Sequence, residues 1–223
     1  MPPDEFNLCV TNMARTAFPY HIQGDPTRGV PPLDPLPVIR LDLEIRNPPL
    51  KVTVLDGVMV GLKDLDIQAS RTDLKTEYSE YDLKIPRLNL LGNYQADGFF
   101  LFMAVNDKGP INITIVDLDL TVTIKFSKKV KKDKVLHMKL KDVSFKVNAI
   151  GRAYYYMGNL FQGALPLLND QFNQALNADW KAVTNEALPS LSKAFSKMFK
   201  SVVGRIMQPY PFNALFPPDG STS

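Results

Sequence analysis

The stretch Leu118-Asp119-Leu120-Thr121-Val122-Thr123-Ile124-Lys125-Phe126 decides the fold class. Its even positions are apolar and its odd positions polar, the period of an extended chain with one dry and one wet face. Such a strand belongs to an antiparallel sheet covered on one side only. Working outward, Ile39, Leu41, Leu43 and Ile45 alternate with Arg40, Asp42, Glu44 and Arg46. Leu136, Met138 and Leu140 keep one parity, whereas Val143, Phe145 and Val147 take the other. A one-residue change of phase inside such a run is what a β-bulge or a sharp bend produces. Similar changes are expected near Val116 and at Ser79-Glu80. Strands therefore run from about residue 38 to 157, in a sheet with strong curvature.

The period changes in the last third. Leu168, Phe172, Leu176, Trp180, Val183, Ala187, Leu191, Phe195, Met198, Val202 and Ile206 recur at helical spacing. Pro166 suits a first helical turn, and Pro209-Tyr210-Pro211 stops the helix. Pro189 lies inside the pattern and is expected to kink or split it. A single helix over 166–207 would measure about 63 Å, against a diameter near 45 Å for a compact chain of this length. The molecule is therefore expected to be elongated, with an apolar sheet face curled around an apolar helix. Ten of the 18 prolines lie before residue 50. Between Gly24 and Pro37 they imply an extended lead-in that follows a short helix over residues 5–18.

Composition narrows the function classes. At 223 residues, 45% apolar and 22% charged, the chain can bury a full core and is neither disordered nor a coiled coil. The net charge of +3 is too small and too evenly spread to argue for nucleic acid. Cys9 is the single cysteine, which forbids an internal disulfide and a cysteine-cluster zinc site. The start Met-Pro-Pro-Asp-Glu-Phe carries no leader pattern, so the chain reads as cytosolic or as a mature form whose leader has been removed.

Gly29-Val30-Pro31-Pro32-Leu33-Asp34-Pro35-Leu36 resembles a signature of the insect takeout and juvenile-hormone-binding protein family. Leu91-Gly92-Asn93-Tyr94-Gln95-Ala96-Asp97-Gly98, Gly158-Asn159-Leu160-Phe161-Gln162-Gly163, Asn177 to Trp180 and Ala214-Leu215-Phe216-Pro217 fit the same family in the same order. The resemblance covers nearly the whole chain as a single domain. It implies an α+β fold related to the lipid-binding TULIP proteins: one long C-terminal helix wrapped by a strongly curved antiparallel sheet, enclosing a hydrophobic tunnel. It also implies a secreted insect carrier, extracellular in haemolymph or at an epithelium, that holds one long apolar molecule. The family usually has two cysteines near the N-terminus clamping the first helix. Cys9 corresponds to the second, and the first would fall near Pro2 or Pro3, where there is none.

The candidate ligand contacts are Tyr94, Phe100, Phe102, Phe126, Met138, Phe145, Tyr155, Phe161, Phe172, Trp180, Phe195 and Met198. Aromatic and thioether side chains suit an apolar guest, although every core contains such residues. Tyr94, Tyr155 and Trp180 carry a polar atom able to bond a ligand oxygen or, equally, a backbone carbonyl. His137 sits on the polar parity of its strand and is expected to be solvated; His21 is read as a surface or packing histidine. Motifs for a nucleophile elbow, a zincin or a P-loop are absent from the sequence. Asp64/Asp66 and Asp117/Asp119 are i, i+2 pairs that would each share a strand face, and they read as solvated edge charges. Lys128-Lys129-Val130-Lys131-Lys132-Asp133-Lys134 reads as a hairpin turn. Its Lys128, Lys129, Lys131 and Lys132 are candidates for transient contact with an anionic membrane or a receptor. Asn112-Ile113-Thr114 is a glycosylation sequon.

The leading expectation is a non-catalytic carrier, without cofactor or metal, of a juvenile hormone-like terpenoid, fatty acid, polyprenyl or carotenoid. The alternative is an esterase or isomerase acting on a lipophilic hormone in the same cavity. A partner-binding module with a filled interior is a third reading.

Overall fold

The computed structural model describes residues 2–46, 49–100, 103–131, 134–163 and 166–216. Helix α1 (Pro3–Ile22) opens the chain and is followed by six strands: β1 (Leu36–Arg46), β2 (Pro49–Val60), β3 (Asp66–Asp73), β4 (Tyr78–Phe100), β5 (Met103–Val130) and β6 (Leu136–Met157). Helices α2 (Pro166–Ala178), α3 (Trp180–Met207) and the short α4 (Phe212–Leu215) complete it. The strands form one antiparallel sheet in the order β1-β2-β4-β5-β6, with β3 paired to β4 beside β2.

Strand β4 serves two partners along one edge. Tyr78–Lys84 pairs with β3 and Asn89–Gly98 pairs with β2. Pro86 falls in the interval between them, where its missing N–H removes no ladder bond to either.

Strands of 22 to 28 residues are several times the usual length. Straight, β5 alone would span roughly 90 Å, so these strands must coil. They do so at shared levels. Cavity-facing residues change parity between Ile85 and Leu88 on β4, between Ile115 and Leu118 on β5, and between Val147 and Ile150 on β6. Asp117 there takes φ 52°, and a Cβ on the facing Gly151 would lie 2.9 Å from the Asp117 side chain. Further register shifts fall between Asp119 and Leu120 and between Lys125 and Phe126. The phase changes expected near Val116 and between Leu140 and Val143 are thus present. The one expected at Ser79-Glu80 is not: Ser79 and Tyr81 keep one parity, and the left-handed residue is Glu77, in the turn before β4 (φ 61°).

Three edges remain, and each has a helix on it. Along α1, Asn7, Thr11 and Arg15 recur every four residues. Asn7 Oδ1 accepts from Thr72 N–H at 2.9 Å, Thr11 Oγ1 from Ser70 N–H at 2.9 Å, and Arg15 donates to the Ile67 carbonyl at 2.7 Å. These bonds hold α1 on β3 with Cys9 a free thiol.

Helix α2 repeats the device on β6. Asn177 accepts from Tyr155 N–H (2.9 Å) and donates to its carbonyl (2.7 Å), while Asn173 does the same for Met157 (2.8 and 2.9 Å). Asn169 accepts from Leu160 N–H at 3.0 Å. Helix α3 packs against β1 and β6, and Ser190 Oγ accepts from Glu44 N–H. Polar side chains at helical spacing thus satisfy free backbone groups along β3 and at the end of β6, and Ser190 does so for one group of β1.

The helix bounds differ from expectation. α1 runs to Ile22, through Pro19, whose ring removes one bond to the Arg15 carbonyl. The C-terminal helix divides at Asp179 (φ −110°, ψ 42°), whereas Pro189 lies within the continuous α3. Pro37 is tolerated inside β1 because β1 is an edge strand.

Candidate ligand cavity

The concave face of β4, β5 and β6, the inner faces of α1 and α3, and the segment 210–216 do not fill the space between them. They leave a cavity of about 650 Å³, within the usual range for a small-molecule site. Most of its wall is aliphatic, with Leu83, Ile85, Leu118, Leu120, Val122, Ile124, Val143 and Val147 on the sheet and Ala187, Leu191, Val202 and Val203 on α3. Tyr81 and Phe145, paired on either side of Val122, are the aromatic exceptions on the sheet beside Tyr155. One end is bounded by Met13, Ala17, Phe18 and His21 of α1 with Tyr210, Leu215 and Phe216.

Polar atoms on this wall are few and mostly committed. Tyr155 Oη lies 2.6 Å from Thr184 Oγ1, which in turn donates to the Trp180 carbonyl at 2.6 Å. Burial pushes the Tyr155 phenol up. Tyr81 is pushed up to about 12 by desolvation, offset in part by its bond to Ser79. His21 is held below its usual value, first by burial and then by the nearby Arg28, with Asp25 opposing. Arg28 donates to Tyr210 Oη at 2.8 Å and its guanidinium lies 4.9 Å from that ring, tying the lead-in loop to the C-terminal segment.

Of the sequence-predicted contacts, Phe145, Tyr155 and Phe195 lie on the cavity wall. Seven others lie elsewhere, for identifiable reasons. Tyr94 is fully buried beneath β2, β4 and β5, and its hydroxyl donates to the Gly158 carbonyl at 2.8 Å. Phe126 stacks on Phe216 at 5.7 Å and meets Phe212 at 6.2 Å, and Met138 is buried in the same core, 1% exposed. Phe161 and Phe172 pack edge to face at 6.2 Å where β6 passes into α2. Trp180, 8% exposed, is buried off the cavity beneath Arg152 and Lys181, and Met198 packs half-buried on the core. Phe102 and the side chain of Phe100 lie outside the described residues.

Reasoning from residue size missed the aliphatic majority of the wall, together with Phe18, His21, Tyr81, Thr184, Phe199 and Tyr210. The strand alternation contained part of that signal, since Leu118, Leu120, Val122 and Ile124 share one parity.

Two further expectations are corrected. His137 is buried, 5% exposed, because the C-terminal segment bridges to it at Pro211. Asp64 belongs to a 3₁₀ turn and Asp66 to β3, so they share no strand face. Lys128 donates to the Leu74 carbonyl and Lys131 to that of Gln208, so two of the four basic candidates pin their own turn to the body. Lys132 lies outside the described residues. Among the described residues no acidic, histidine or cysteine cluster could hold a metal ion, and no helix is long and apolar enough to cross a membrane.

The residues that carried the family resemblance have structural roles. Asp34 Oδ2 accepts from Gly61 N–H (3.0 Å) and Lys63 N–H (2.8 Å), fixing the chain after β2. Gly61 has φ 114°, and a Cβ there would lie 2.0 Å from the Arg87 carbonyl oxygen. Tyr94 joins the second motif to the third at Gly158, and Asn177 docks α2.

The profile of the haemolymph juvenile hormone binding protein family matches residues 3–217. The chain belongs to that family. It is 22% identical over 218 residues to the circadian clock-controlled protein daywake of Drosophila melanogaster, covering 93% of this chain and 83% of that protein. The Drosophila yakuba daywake is 20% identical over the same span and coverage. Takeout 1 of Epiphyas postvittana superposes with a TM-score of 0.83 over 92% of this chain and 93% of its own, at 23% identity. The curved sheet and long C-terminal helix are thus the takeout fold.

Proposed function

We propose that this protein is a secreted, non-catalytic carrier that holds one slender hydrophobic molecule in a tunnel formed by the cavity between sheet and α3. The observation that carries this reading is the cavity of about 650 Å³ with its predominantly aliphatic wall. Candidate guests are a terpenoid of the juvenile hormone type, a fatty acid, a polyprenyl chain or a carotenoid. Burying about 500 Å² of apolar ligand surface contributes roughly 12 kcal/mol gross. Ordering costs of several kcal/mol reduce this to sub-micromolar affinity or weaker. Membership of a family named for hormone binding supports the same assignment. An enzyme reading is disfavoured because the wall hydroxyls of Tyr155 and Thr184 bond each other rather than a histidine.

Tyr155 is the proposed polar contact. Thr184 can give its proton to the Trp180 carbonyl or to Tyr155, so the phenol can accept from a ligand hydroxyl or donate to a ligand carbonyl. Organic extraction of the purified protein followed by mass spectrometry, then uptake of terpenoid and fatty-acid probes by the stripped protein, tests the assignment. Co-purified lipid or saturable uptake is expected. Absence of both co-purified lipid and uptake of any probe refutes it. Tyr155→Phe should weaken binding of oxygenated probes about 5–30-fold and leave hydrocarbon binding unchanged.

A further inference from the structure

The outer face of the sheet carries an apolar row that runs through the sequon. Register places Pro37, Val58, Leu91, Asn112 and Tyr156 opposite one another across β1, β2, β4, β5 and β6. All five are exposed to solvent, Val58 at 37%, Leu91 at 39% and Tyr156 at 51%. Tyr154, two residues along β6, adds another ring at 49%. Ile113 faces the cavity, so Asn112 points to the opposite, wet side. A charged or polar row would be ordinary there, whereas an apolar one is a liability on a monomer's surface.

We infer that Asn112 carries an N-linked oligosaccharide whose first sugars lie over Leu91 and Tyr156 and shield this row from water. Neighbouring strands are about 5 Å apart, so Leu91 and Tyr156 flank the glycosidic nitrogen at one strand spacing on either side. The C–H face of a pyranose matches an aromatic ring and a leucine side chain, and its hydroxyls then face solvent. Attachment precedes folding, because Asn112 and Thr114 end within a strand bonded on both sides. The Asn112 carboxamide nitrogen displaces the lipid diphosphate from C1 of the donor oligosaccharide. A C–N bond forms, the C–O bond to phosphate breaks, and one amide proton is lost to the transferase base. Thr114, whose hydroxyl that transferase reads in the extended chain, is afterwards buried, 6% exposed. The inference rests on the secretory route proposed above.

The test is expression behind a secretion leader in insect cells, with the medium protein analysed by peptide mass spectrometry before and after peptide N-glycosidase. Expected are conversion of Asn112 to Asp by the glycosidase and a mobility shift abolished in Asn112→Gln and Thr114→Val but kept in Thr114→Ser. Native enzymatic deglycosylation should lengthen retention on a hydrophobic-interaction column, and Leu91→Ser with Tyr156→Ser should cancel that gain. Secreted protein with bare Asn112 overturns the proposal, as does deglycosylation that leaves retention unchanged. Probe uptake measured on the same samples separates the two readings: a bare protein that loads lipid sinks only the glycan, and a glycoprotein that loads nothing sinks only the carrier.

Discussion

The asparagine ladder of α2 makes a quantitative prediction about what seals the β6 edge. Asn173→Ala removes both bonds to Met157, from its N–H at 2.8 Å and to its carbonyl at 2.9 Å, leaves both backbone groups facing an alanine, and also removes the bond from Asn173 Nδ2 to the Asn169 carbonyl at 3.0 Å. Each such bond is worth about 1 kcal/mol net, and a shielded group left unpaired adds to the loss. The expected cost is therefore about 2–3 kcal/mol, or roughly 5–10 °C in Tm for a chain of this size. Asn169→Ala, which loses one bond to Leu160 N–H, should cost about half as much. Asn177 bonds the backbone, not the side chain, of Asn173, so Asn173→Ala and Asn177→Ala should add within about 0.5 kcal/mol. Equilibrium urea unfolding of stripped protein reads this out through Trp180, the single tryptophan, which lies just beyond the ladder. A loss below about 0.5 kcal/mol for Asn173→Ala, with an unchanged denaturant slope, would refute the idea that side-chain pairing closes this edge.

Other outcomes follow from the same geometry. Val122→Phe intrudes on the cavity between Tyr81 and Phe145 and should weaken probe binding at least tenfold, measured by displacement of a fluorescent fatty acid. Unaltered affinity would place the guest elsewhere. Gly61→Ala, with φ 114° and the Arg87 carbonyl in the way, should abolish soluble expression or cost more than about 3 kcal/mol. Burial and Arg28 disfavour the charged form of His21 in the folded state, with Asp25 opposing, so the unfolded chain binds its proton more readily. Stability from this residue is then complete above pH 6.5 and is lost as pH falls toward the depressed value. His21→Gln should flatten the pH dependence of urea midpoints below 6.5, and an unflattened curve would remove His21 as its source.

The sheet was legible because burial on one face writes itself into every second residue. Leu118 to Phe126 and Leu136 to Val147 disclose strands, curvature and the bulge at Lys141 without reference to anything distant. Five ordered stretches likewise disclosed the family, and in the structure Asp34, Tyr94, Gly158 and Asn177 of those stretches hold the frame. The identity of the cavity wall was not legible. Phe126, Phe172 and Trp180 are as apolar as Phe145 and Phe195, but only the crossing of α3 over the sheet settles which of them face empty space. The edge ladders were missed for a related reason. Asn7, Thr11 and Arg15, or Asn169, Asn173 and Asn177, look like solvent-facing helix residues until a strand edge is laid beside them. Periodicity records whether a side chain avoids water; which neighbour it meets depends on contacts between segments far apart in the chain, and only folding brings those together.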